Sequence, residues 1–147
     1  MAITREEWSN SQLKQLLPPV ATAADKDDIV ALDTKGFDSA SFVVFVGAAD
    51  VEPTVDIHLQ VRLVHSDNNV DFVNCTDNEM LGTVPGLSTG TFVHLNSAPE
   101  VGTCFTAAYI GSKRYVRPVI KATGNLGGGV VIGIGAMLHG TKYRPVA

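Results

Sequence analysis

From Asp28 onward the hydrophobic positions of this chain repeat every second residue. Val55, Ile57, Leu59, Val61 and Leu63 alternate with Asp56, His58, Gln60 and Arg62. That period belongs to a pleated strand with one buried face. Strands are expected over about 28–33, 40–47, 53–64, 69–74, 91–95, 103–110, 114–123 and 129–138. The run Ser41 to Val46 is continuously apolar beyond its serine, which predicts a central strand covered on both faces. Ser66-Asp67-Asn68-Asn69 has hairpin-turn chemistry, Gly111-Ser112-Lys113 is a short turn, and Gly124 to Gly129 is a glycine-rich one. Residues 77–90 read as one long loop.

The first 27 residues follow another pattern. Thr4 and Glu7 stand in capping-box spacing, Ile3 and Trp8 in staple spacing. Trp8, Leu13, Leu16 and Leu17 give a partial helical stripe, and Pro18-Pro19 ends it. The pattern predicts a short helix from about Arg5 to Leu17, too short to stand alone. Val20 to Asp28 reads as a linker. The organisation expected is an arm over 1–27, docked on its own domain or a neighbour, and a β domain over 28–147. Eight short strands with frequent turns point to an all-β, antiparallel sandwich of jelly-roll type, with a lipocalin-like barrel as the competing architecture.

Composition supports one globular domain: 147 residues, 45% hydrophobic, 18% charged, net charge −4. An acidic balance without a basic stripe argues against nucleic acid as a partner. No apolar run is long enough to span a bilayer, and Met1 to Val20 lacks the apolar centre of a signal peptide. Synthesis in a cytoplasm is expected. Cys75 and Cys104 fall in apolar strand patterns and are expected as free core thiols.

The candidate chemistry is sparse. The glycines from Gly124 to Gly135 lack the Gly-Lys-Ser/Thr of a phosphate loop and have no helix pattern after them. His58, His65, His94 and His139 stand at no structural zinc spacing and are expected at surfaces or strand ends. No Gly-x-Ser-x-Gly occurs. Asp67 to Asp71 lacks the glycine and terminal glutamate of a calcium loop. No catalytic residue, cofactor or metal is therefore expected. The most distinctive polar cluster is Lys113-Arg114-Tyr115-Val116-Arg117. It sets Tyr115 and Arg117 on one face, as a protein interface would or as a guarded edge strand would.

Tyr109 to Arg117, the strand to Thr123, the glycine-rich turn and the closing apolar strand resemble the C-terminal half of tailed-phage capsid decoration proteins. These are also called cement or head-stabilisation proteins, and the Bbp16-like type is the nearest. Ile29 to Asp33, Phe42 to Val46 and Val55 to Arg62 resemble that family's opening strands more loosely. The resemblance implies a non-enzymatic virion protein on the capsid exterior. It would bind the major capsid protein as a homo-oligomer, dimer or trimer, without nucleic acid or membrane. Contacts are expected from Ile3, Trp8, Leu13, Leu16, Leu17, Arg114, Tyr115 and Arg117. The rival readings are a head–tail or tail component and a carbohydrate-binding sandwich module.

Overall fold

A computed structural model describes residues 11–97 and 102–141. It holds ten strands: β1 (Ser11–Thr22), β2 (Leu32–Asp33), β3 (Phe37–Ala49), β4 (His58–Ser66), β5 (Val73–Asn74), β6 (Met80–Leu81), β7 (Thr91–Leu95), β8 (Cys104–Tyr109), β9 (Tyr115–Thr123) and β10 (Val130–Thr141). They form two antiparallel sheets. Sheet A has the order β1-β10-β3-β8-β6. Sheet B has the order β2-β9-β4-β5, with β7 also against β4. The expected antiparallel sandwich is what forms, as two separate sheets instead of a closed barrel.

The pairing is nested. β1 pairs β10, β2 pairs β9, β3 pairs β8 and β4 pairs β7. First-with-last pairing of eight strands, folded over so that successive strands alternate between sheets, is the jelly roll. β5 and β6 are two-residue additions within the long β4–β7 connection.

The core is the inward half of each alternation. β3 contributes Ala40, Phe42, Val44 and Val46; β4 contributes Leu59, Val61 and Leu63; β10 contributes Val130, Ile132, Ile134, Ala136 and Leu138. From the β9–β10 turn, Leu126 is also fully buried and belongs to the same cluster.

Three expectations need correction. The helix over Arg5 to Leu17 does not form in its described part. Ser11–Thr22 is an edge strand of sheet A, running against β10. Its register shifts between Gln15 and Leu17 and again between Leu17 and Val20. The first bulge adds one residue, so adjacent Leu16 and Leu17 are both buried, where a regular strand would bury one. Their spacing mimicked a helical stripe. The second bulge spans Pro18-Pro19, and proline, lacking an N–H for the ladder, is tolerated at such an edge position. Ile3, Trp8, Thr4 and Glu7 lie outside the described residues.

The second correction concerns the ends of β4 and β2. The strand expected over 53–64 starts at His58 because Thr54 Oγ1 accepts the backbone N–H groups of Asp56 and Ile57, which closes a local turn. Val55 is left exposed. The strand expected over 28–33 narrows to Leu32–Asp33. Third, β3 is central, but only its inner face is covered. Phe45 is 53% exposed, whereas Phe42 is fully buried.

That asymmetry is testable. Phe42→Ala should lower unfolding free energy by about 3–5 kcal/mol, the usual cost of emptying a buried aromatic site. Phe45→Ala, on the opposite face of the same strand, should cost less than about 1 kcal/mol. Denaturant titration of both variants checks the assignment.

Candidate interaction surfaces

The outer face of sheet A is the least expected feature of the molecule. Cross-strand register sets Leu13, Met137, Ser41 and Ala108 in one row and Gln15, Gly135, Val43 and Thr106 in the next. Gly133, Phe45 and Cys104 form a third, and Leu81 of β6 extends the first. None of these positions holds Asp, Glu, Lys or Arg. Leu13 is 72% exposed and Leu81 59%. Antiparallel sheets with a solvated face usually turn polar side chains outward, so this face departs from the rule.

A shallow groove of about 460 Å³ crosses it, lined by Leu13, Gln15, Pro19, Phe45, Gly133 and Gly135 among others. The glycines make the floor. A Cβ on Gly133 would stand 3.2 Å from Pro19 Cγ, so the bulged Pro18-Pro19 segment lies against bare backbone. Lys14 reaches the rim from the edge strand.

The expected contact residues separate into groups. Leu13 is exposed on this face. Leu16 and Leu17 are in the domain's own core and are not available to a partner without unfolding β1. Arg114 makes a bidentate pair with Asp33 across the β2–β9 ladder, at 2.8 Å for both Nε and Nη2. Its guanidinium carbon also lies 4.9 Å from the Tyr115 ring centroid. The Asp33 carboxyl is accordingly held below its ordinary value, chiefly by Arg114. Arg117 sits over the Phe72 ring at 4.1 Å. Tyr115 and Arg117 do share the outer face of sheet B, opposite Ser66 and Val64.

One buried polar cluster escaped the sequence reading. His65 was expected at a surface or a strand end; it stands at the end of β4 but is 2% exposed, on the inward side of the strand in step with Leu59, Val61 and Leu63. Its Nδ1 lies 2.8 Å from Tyr109 Oη, which ties sheet B to β8 of sheet A. Tyr109 Oη accepts the Lys113 backbone N–H at 3.0 Å. Glu79 Oε2 stands 3.4 Å from the same Nδ1. Glu79 in turn accepts the Thr76 N–H and hydroxyl, closing the 3-10 turn Asp77–Glu79. Burial pushes His65 below its ordinary 6.5, with Glu79 pulling the other way. Burial also raises Tyr109 and Cys75, each to about 12. Such a thiol is inert, and this cluster pins the 3-10 turn and joins the layers.

Cys75 is buried as expected, but Cys104 is exposed on the outer face of sheet A, and both are free thiols. The turn at Asp67 to Asp71 is closed by its own side chains. Ser66 Oγ accepts the Asn68 and Asn69 N–H groups, and Asn68 Oδ1 accepts those of Val70 and Asp71. Among the described residues no group of three or more His, Cys, Asp or Glu side chains is arranged to hold a metal ion, and no helix is long and apolar enough to cross a membrane. Comparison with known protein families, curated proteins and solved structures found no match.

The His65 pocket gives a pH prediction. Because the folded value is depressed, the unfolded chain takes up a proton near 6.5 that the folded chain resists. Stability is thus fully present above that point and falls as the pH drops through it toward the lower folded value. Denaturant midpoints should be lower at about pH 5.5 than at about pH 7.5, and His65→Gln should shrink the difference.

Proposed function

We propose that this chain is a non-enzymatic virion component: a decoration protein that binds the exterior of an icosahedral phage head and bridges major capsid subunits. The observation that carries this reading is the uncharged, apolar outer face of sheet A. With strands about 4.8 Å apart and about 3.4 Å of rise per residue, four strands over the residues from Gly133 to Met137 present roughly 330 Å² of flat sheet. That is within the range of the largest patches found on monomers, about 300–600 Å². One copy thus falls short of the roughly 800 Å² per partner of a stable protein interface, and contacts repeated over a lattice would make up the difference.

Such a face suits a broad, shallow partner better than a small ligand. Its groove is open and its floor is glycine backbone, with few polar groups to orient a substrate. The exterior of an assembled shell is a broad surface repeated many times. A protein that prefers the assembled lattice stabilises it by mass action. Linked copies gain further from multivalency, so each contact can be weak. The homo-oligomer implied by the family resemblance would serve that purpose. In this reading Leu13, Phe45 and Leu81 are the contacts that count, and the rigid jelly roll is the frame that holds them flat.

The test is co-sedimentation of the purified protein with shells assembled from a major capsid protein encoded beside it. Phe45→Lys should weaken shell binding by about tenfold or more, since it buries a charge in an apolar contact. Its melting temperature should stay close to that of the parent, because Phe45 lies outside the core. A parent protein that ignores the shells, or a Phe45→Lys variant that binds them equally well, would defeat the proposal.

A further inference from the structure

The outer face of sheet B has a different chemistry. At its centre Val64 stands opposite Arg117, and Val119 opposite Arg62. All four point away from the core, and neither valine belongs to the main core cluster. Yet Val64 is 7% exposed and Val119 5%. Long arginine stems laid flat along the sheet account for that burial. They also account for a second observation: Nε of Arg62 and Nε of Arg117 are both buried without a hydrogen-bond partner. The Phe72 ring under Arg117 holds one of the two guanidinium groups in place.

Within sheet B and its margins, charge pairing sets the same two residues apart. Lys26, Lys113, Arg114 and Lys121, around the margins, each have an aspartate partner. Arg62 and Arg117 have no carboxylate among the described residues. No outward ladder position of β4 or β9 supplies one: those positions are His58, Gln60, Arg62, Val64 and Ser66 on one strand, and Tyr115, Arg117, Val119, Lys121 and Thr123 on the other. Diagonal neighbours on adjacent strands are about 7–8 Å apart, within reach of long side chains. Arg62 and Arg117 are therefore diagonal neighbours on one face of the β4–β9 ladder.

We propose that Arg62 and Arg117 form a docking pair for an acidic segment of a partner protein, with an Asp or Glu carboxylate seated between the two forks. A carboxylate approaching a guanidinium end-on meets its two terminal nitrogens together, a bidentate arrangement that leaves the buried Nε in place. It would neutralise charges that have no carboxylate partner in the free chain. Arg117 already lies on the Phe72 ring, so less of its side-chain freedom remains to be lost on binding. Nucleic acid fits less well. It is met by about six to ten phosphate contacts, and here this face offers two unpaired cations, on a chain of net charge −4. This inference does not depend on the shell reading, because the partner is defined by its carboxylates alone.

The experiment uses the full chain and fluorescently labelled poly-L-glutamate, with a DNA duplex as the competing probe, both at low ionic strength. Anisotropy should report poly-glutamate binding that weakens with added salt. Arg62→Gln with Arg117→Gln should reduce it by about tenfold per arginine. Lys14→Gln with Lys35→Gln removes the same charge elsewhere and should change it by less than about twofold. If the glutamine pair does not fold, Arg62→Lys with Arg117→Lys keeps charge and stems but not the forks, and should still show a clear loss. Equal losses in the arginine and lysine pairs would overturn the proposal. So would tighter binding of the duplex than of poly-glutamate, or no poly-glutamate binding by the parent chain.

Discussion

A pleated strand in a two-layer sandwich can hide only one of its two faces. Everything described here depends on that constraint. The nested jelly-roll pairing brings the inward faces of β3, β4, β7, β9 and β10 together, and they supply nearly all the large buried side chains. The outward faces are then free to differ, and they do. Sheet A turns out leucine, phenylalanine, methionine and glycine; sheet B turns out arginine, lysine, histidine and tyrosine. A chain with one core and two chemically distinct outer faces is suited to contact two kinds of neighbour.

The His65–Tyr109 bond adds a polar fastening between the layers at one end. It supplements the backbone bonds that hold the β5–β6 connection, among them Cys75 N–H to the Leu63 carbonyl and Ile110 N–H to the Glu79 carbonyl, since β5 and β6 are two residues each. Glu79 joins the fastening to the Thr76 turn, so one buried imidazole orders a connection that crosses from sheet B to sheet A and back. Its cost is a sensitivity to acid that an apolar pair at the same place would not show.

The strands from β7 to β10 were legible in the sequence nearly to the residue, because each is a regular alternation bounded by turn-forming residues. β1 was not, because its two bulges destroy the alternation and bring Leu16 and Leu17 inward side by side. Nothing local distinguishes that from a helical stripe; the β10 partner decides it, more than a hundred residues away. Phe45 misled for another reason. A continuous apolar run reads as buried on both sides, and only the missing second layer over sheet A shows otherwise. His65 could have been found by continuing the β4 alternation two residues past Leu63. The Arg62–Arg117 neighbourhood could not, since it exists only through the β4–β9 register.

The closure of sheet A has a kinetic consequence. β10 lies between β1 and β3, so the two early strands have no direct ladder with each other and wait for β10, the last of the described strands. Until β10 emerges, β1 and β3 display unpaired edges, with the leucines of β1 and the phenylalanines and valines of β3 bare to the cell. Such distant pairing folds slowly, on the order of milliseconds to seconds. The growing chain is most prone to aggregate during that wait, and the prolines in β1 then serve as gatekeepers against the wrong strand.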